Sequence, residues 1–321
     1  MLEHILLKEE PPDVQAHPAT RAWNRFHSNL NQATGITLLK KCSKSAIYKV
    51  DGVGPGSSAV VAKLCHHQVA AHERIVYEQI LPALPISYPC CHGSIQENAQ
   101  QDWLFLEYVD GEPYSRFRDD HSILVAKWLG LLHSASTQIA DVVQLPDRGP
   151  RYHLTHLREA RGKLRVAFDQ LKLPAEELEV IEAVISQCGF LESRWGCVEQ
   201  WCAGMPRTFI HGDLKPRNVA IRSGLEGPEV LVFDWEASGW GVPTGDLAYV
   251  DLTAYHDAVK HRWPNVTVEE VRKMKITGRI FRGIEEFRWE SERFDPRWEV
   301  STIKLNYYRE RMAEAIQMAQ W

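Results

Sequence analysis

Between residues 208 and 236 the chain alternates apolar and polar segments in an order that few folds can use. Thr208-Phe209-Ile210 is strand-like and delivers the chain to His211-Gly212-Asp213. Pro216 holds the following loop extended or turned. Val219-Ala220-Ile221 reads as a second strand and Val230-Leu231-Val232-Phe233 as a third, and the Ser223–Pro228 segment between them is a turn signal. A turn centred near Glu226 and Gly227 folds these two strands into a hairpin, so positions near 219 face positions near 234. Asn218 and Asp234 then stand at the same end of the hairpin, where both can reach one hard cation.

The rest of the chain divides around this segment. Residues 1–35 read as a loose polar arm followed by a helix over Ala19–Asn31, with Trp23, Phe26 and Leu30 at helical spacing. Residues 36–109 have strand texture. Ile36–Lys41, Ala46–Val50 and Ala59–Leu64 are followed by a helix over Val69–Leu84, then strands over Ile86–Ile95 and Trp103–Tyr108. This order makes a small antiparallel sheet with one main helix. After Asp110-Gly111-Glu112-Pro113 the chain becomes mostly helical, over Ile123–Ser136, Leu154–Leu171, Ala175–Cys188 and again beyond Asp246. The expected organisation is therefore α+β, with a β-rich lobe over 36–109 and a larger, mostly helical lobe over 110–321.

Composition narrows the partners. A net charge of −5 and the lack of any Lys/Arg run argue against nucleic acid. No apolar stretch approaches the ~20 residues of a membrane helix, and the N-terminus reads as neither signal nor transit peptide. The seven cysteines are odd in number and form no paired CxxC, which fits reduced thiols and a cytoplasmic location.

Two oxygen-bearing side chains on one hairpin end suit magnesium, which fills its shell with waters and substrate phosphates. Asp213 lies a short loop away, where a carboxylate can accept the proton of an attacking hydroxyl. Lys63 sits in an apolar strand, a costly place for an ammonium unless anions meet it. Gly52-Val53-Gly54-Pro55-Gly56 precedes that strand rather than a helix and reads as a hairpin turn, not a phosphate loop.

The His211–Asn218 segment resembles the catalytic loop of the aminoglycoside phosphotransferase and choline kinase superfamily, which shares its fold with the protein kinases. Val232-Phe233-Asp234-Trp235-Glu236 is similar to the metal-binding Asp-Trp/Phe-Glu of those small-molecule kinases, and Gly245-Asp246-Leu247-Ala248 to their next motif. The resemblance spans roughly residues 36–255. It implies a bilobal protein-kinase-like fold, ATP and Mg2+ as cofactors, and a hydroxylated small molecule as acceptor. Lys63 would bridge the α- and β-phosphates and pair with Glu73, with Glu78 the alternative partner. Ser43 and Ser45 would contact phosphates from the loop between the first two strands. The adenine would meet backbone groups near Glu107 and Val109. Asp246 would be buried, accepting hydrogen bonds from the catalytic-loop backbone, with His211 as scaffold and His133 packed. Lys215 stands where Ser/Thr protein kinases carry a lysine that contacts the transferring phosphate. Glu285, Glu286, Glu290 and Glu292, beside Phe287 and Trp289, offer an acidic and aromatic surface suited to a cationic acceptor. The interleaved Arg282, Arg288 and Arg293 leave open a solvated helix face instead. The alternatives are a Ser/Thr protein kinase-like enzyme, and an inactive nucleotide-binding regulatory module. Gly212, Trp235, Glu236 and the lack of an Ala-Pro-Glu segment oppose the first. The presence of Lys63, Asp213, Asn218 and Asp234 together opposes the second.

Overall fold

The computed structural model describes residues 13–27, 32–42, 44–139, 143–170, 173–293 and 299–321. In chain order the elements begin with α1 (Pro18–Phe26), β1 (Gly35–Lys41), β2 (Ser45–Asp51), β3 (Val60–His66), α2 (His67–Ile75), β4 (Cys91–Gln96), β5 (Gln101–Glu107) and β6 (Glu112–Pro113). Three helices, α3 (Asp119–Ser136), α4 (Pro150–Gln170) and α5 (Ala175–Ser193), precede α6 (Trp195–Ala203). Then come β7 (Thr208–Ile210), β8 (Val219–Gly224), β9 (Gly227–Val232), β10 (Gly239–Gly241), α7 (Leu252–Val259), α8 (Val268–Arg293) and α9 (Glu299–Ala319). Among the described residues no helix is long and apolar enough to cross a membrane.

Two compact units emerge. Of the described residues, the first comprises those up to Tyr114 together with Lys215–Glu236, and the second those within Ser115–Leu214 and Ala237–Trp321. The hairpin β8–β9 thus falls with the N-terminal residues, because β6 pairs with β8 through Glu112↔Ile221 and Pro113↔Ala220.

The first unit is built on an antiparallel five-stranded sheet in the order β1-β2-β3-β5-β4. One face carries Val50, Val60, Ala62, Trp103 and Phe105, and α1 closes it with Ala19, Ala22 and Trp23. Strand alternation explains the arrangement: even-numbered residues of β2 and β3 point to α1, odd-numbered ones to the opposite face. His17 caps α1 by accepting from Ala19 N at 3.1 Å, with Pro18 at the first helical position.

Three expectations are corrected here. α1 stops at Phe26, and Asn31 lies outside the described residues. The strand expected from Ile86 begins only at Cys91, since Pro85 and Pro89 carry no amide for a ladder. The helix expected over 69–84 is α2 continued through a π-turn over Val76–Ile80 and a 3-10 turn over Leu81–Ala83, where Pro82 cannot extend the α pattern.

In the second unit β7 pairs with β10 and packs on α3, while α8 packs against α4 and α9. α8 starts with a reciprocal cap: Thr267 Oγ1 accepts from Glu270 N at 3.2 Å, and Glu270 Oε2 accepts from Thr267 N at 2.6 Å. α6 and β10 had escaped the sequence reading. Both are short, and Gly239 and Gly241 leave β10 with a weak strand signature.

Candidate active site

In the first unit Lys63 projects from the odd-numbered face of β3 and is only 5% exposed. α2 follows β3 immediately and brings Glu73 to it, and the ammonium donates to both Glu73 oxygens at 3.0 Å. It also donates to Asp234 Oδ1 at 2.8 Å. Burial alone would lower the Lys63 pKa, but Glu73 and Asp234 outweigh it and hold the ammonium well above its usual value. Glu78, the other candidate partner, is held instead by Arg74 at 2.9 Å.

Asp234 follows β9 with a φ of 67°, a left-handed backbone that aspartate tolerates better than most residues. The β8–β9 register pairs Val219 with Val232, and the turn is the Leu225-Glu226 pair between Gly224 and Gly227. Phe233 N donates to Asn218 O at 3.0 Å, so Asn218 and Asp234 share the open end of the hairpin. The chemistry of this donor set suits magnesium: hard oxygens from one carboxylate and one amide, ligands of the kind that ion takes together with phosphate and water oxygens.

A second lysine, Lys40, also approaches this carboxylate, with its Nζ 3.5 Å from Asp234 Oδ2. Of the loop candidates, Ser43 lies outside the described residues, while Ser45 accepts from Cys42 N at 2.9 Å and its hydroxyl meets Cys42 Sγ at 3.4 Å. Glu107 is committed to local structure: its amide donates to Cys90 O at 2.8 Å, and its carboxylate takes Cys90 N at 3.0 Å and Arg222 Nη1 at 2.5 Å. Val109 lies in the link between β5 and β6. Lys215 leads into a 3-10 turn over Pro216–Asn218, and its carbonyl accepts from Asn218 N at 2.8 Å.

In the second unit the loop after β7 is held by one buried carboxylate. Asp246 Oδ2 accepts from His211 N at 2.7 Å and Oδ1 from Gly212 N at 2.9 Å. His133 Nε2 lies 3.3 Å from Oδ2, and the opposite ring nitrogen lies 2.9 Å from the Tyr255 hydroxyl. Burial would raise the Asp246 pKa, yet His133, His211 and the backbone donors hold it below the ordinary carboxylate range. His211 Nδ1 accepts from Asp213 N at 3.2 Å, so His211 shapes the turn that presents Asp213. Gly212 has a φ of 77°, and a Cβ there would meet Ala237 O at 2.5 Å.

Arg282 of α8 hydrogen-bonds the Asp213 carboxylate through Nη1. Its Nε donates to Glu286 at 2.8 Å, and the guanidinium lies 4.8 Å from the Trp289 ring centroid. Arg311 approaches the same Glu286 oxygen at 3.4 Å. Glu285 is met by His156 Nδ1 at 2.6 Å and Arg288 Nε at 3.1 Å. Despite its burial, contacts with His153 and His156 keep Glu285 far below the usual carboxylate pKa. Glu290 and Glu292 are likewise approached by Lys304 at 3.8 Å and Arg288 at 3.0 Å. Glu286 and Glu290 are 4% and 6% exposed, so with Glu285 they form a charge-compensated, largely buried cluster, not the acidic surface or solvated face expected from the sequence. Reading the sequence missed Arg282 as a partner of Asp213. The i,i+4 spacing of Arg282 and Glu286 was visible, but the reach to Asp213 across 69 positions was not.

The chain matches the family model described as "Phosphotransferase enzyme family" over residues 45–304. Curated proteins give no match by sequence. Solved structures do. The GDP and kanamycin complex of APH(2'')-IIIa is 14% identical, with 94% of this chain and 96% of that one covered and a TM-score of 0.61. Choline kinase from Cryptosporidium parvum Iowa II is 13% identical, with 91% and 92% covered and a TM-score of 0.56. Plasmodium vivax ethanolamine kinase is 13% identical, with 89% and 82% covered and a TM-score of 0.53. These likenesses are of fold.

Proposed function

Since this chain belongs to the phosphotransferase enzyme family, we propose that it transfers the γ-phosphate of Mg-ATP to a hydroxyl of a small molecule, an aminoglycoside-like compound, an amino alcohol or a related metabolite. The observation that carries this reading is the buried Lys63, which donates to Glu73 and to Asp234 at once. An ammonium and a carboxylate held together at a buried strand position are expensive to desolvate. The arrangement makes sense when a polyanion and its metal are the intended guests.

Each residue has a part drawn from its chemistry. Asn218 and Asp234 would hold magnesium, which neutralises phosphate charge during transfer. Lys63 would neutralise the nucleotide phosphates, with Glu73 fixing its direction. The Glu107 carbonyl and backbone groups at Val109 would take the base, since the Glu107 amide is held by Cys90 O, with Ser43 and Ser45 as contacts on the phosphate side. Asp213 would accept or orient the proton of the attacking hydroxyl. Its carboxylate accepts from Arg282, and Asp246 and His211 hold the turn that carries it. Lys215 would add positive charge to the transferring group.

The test is nucleotide consumption with magnesium across a panel of hydroxylated amines, antibiotics and metabolites, read by mass spectrometry for the gain of one phosphate. With an accepted compound, Asp213→Ala is expected to lose on the order of 10²-fold or more in turnover. Unchanged turnover in that variant removes Asp213 from the mechanism.

A further inference from the structure

Lys40 reaches Asp234 because β1 is irregular. Along β1 and β2 the register runs Ile36↔Val50 and Leu38↔Tyr48, then shifts by one residue to Lys40↔Ile47 and Lys41↔Ala46. Leu39 is the extra residue, and 40% of its surface is exposed. Regular pairing would set position 40 opposite Ala46, on the sheet face that α1 covers. The bulge sets it opposite Ile47 instead. Ile47 in turn pairs with Lys63 on β3. Lys40, Ile47 and Lys63 therefore form one cross-strand row on one face, and the two lysines flank the Asp234 carboxylate, one at each oxygen. A bulge that re-aims a single side chain is a common device beside functional sites.

The two contacts differ in kind. Lys63 is buried and has Glu73 as a second partner. Lys40 is 42% exposed, its contact is long at 3.5 Å, and Asp234 is the one carboxylate within ion-pair reach of it among the described residues. An exposed ion pair of that length is easily exchanged for a better one. When a divalent cation takes the Asp234 oxygens, Lys63 keeps Glu73, whereas the Lys40 ammonium needs a new anion, and the phosphates that arrive with the metal supply one.

Resting on the nucleotide-binding reading above, we propose that Lys40 is a second phosphate-binding lysine, which leaves Asp234 Oδ2 for a terminal phosphate of a Mg-nucleoside triphosphate. Asp234 serves as a placeholder anion that keeps Lys40 oriented before the nucleotide arrives.

Calorimetric titration of Mg-ATP and Mg-GTP into the full chain tests this, comparing wild type with Lys40→Met and Lys40→Arg. A charge-assisted contact to phosphate corresponds to roughly a tenfold to hundredfold change in Kd. The expected result is a loss of that size in Lys40→Met, recovery of most of it in Lys40→Arg, and an unchanged Tm for both unliganded variants. If wild type binds either nucleotide and Lys40→Met binds it within twofold as tightly, this proposal is overturned while the kinase reading stands. If wild type binds neither, both fall together.

Discussion

The carboxylate of Asp246 gives the most direct test of how the loop before Asp213 is held. It is 1% exposed and its two oxygens serve different amides, Oδ2 that of His211 and Oδ1 that of Gly212. Replacing it with alanine strands one buried and one part-buried N–H donor, worth about 1–3 kcal/mol and less respectively, and leaves His133 without its carboxylate. Water entering the vacated space recovers part of this. A loss of about 3 kcal/mol is the central expectation, and at roughly 2–4 °C per kcal/mol for a unit of this size Tm falls by roughly 6–12 °C.

Asparagine is the sharper probe. It keeps the shape but puts an NH2 group where one backbone donor points, so one amide faces a donor and charge assistance is lost for the other. Asp246→Asn is therefore expected to cost about 2 kcal/mol or more, close to the alanine variant despite being isosteric. Urea denaturation of wild type, Asp246→Asn and Asp246→Ala measures the three stabilities on one scale. An asparagine variant within about 0.5 kcal/mol of wild type would refute the reasoning, because a carboxylate receiving both amides cannot be replaced so cheaply.

Three further expectations concern other positions. Gly212→Ala combines a φ of 77° with a Cβ 2.5 Å from Ala237 O, and should destabilise by about 2 kcal/mol or more. Gly162→Ala, in α4 with nothing near its added Cβ, should instead stabilise by about 0.5–1 kcal/mol in the same denaturation assay. For Glu285 the folded pKa is depressed, so its unfolded state binds more protons in acid. Its contribution is present above the unfolded value near 4.3 and is lost as pH falls toward the folded one. Between about pH 5 and pH 2 the Tm of Glu285→Gln should therefore fall less steeply than that of wild type, and parallel curves would count against the His156 contact as drawn.

What the sequence disclosed and what it hid divide along a physical line. The hairpin end shared by Asn218 and Asp234 was legible because strand period and turn chemistry are local, although the turn sits at Leu225-Glu226, one residue earlier than expected, and sets Val219 opposite Val232 instead of a position near 234. Lys63 was legible because an ammonium in an apolar strand conflicts with its surroundings unless something anionic answers it. Lys40 carried no such conflict. Five residues of β1 in strict alternation assign it to the face α1 covers, and only the inserted Leu39, an ordinary apolar residue in an ordinary strand, reverses that. Arg282 was hidden for a different reason. α8 sets acid against base so often that Arg282 and Arg288 both have a partner within the helix, Glu286 and Glu285, so its sequence is satisfied by a solvated face. The bond from Arg282 to Asp213 is a second use of a side chain already accounted for. A guanidinium, with five donors in a rigid fork, can serve both carboxylates at once where a lysine in its place would have to share one compact head between them.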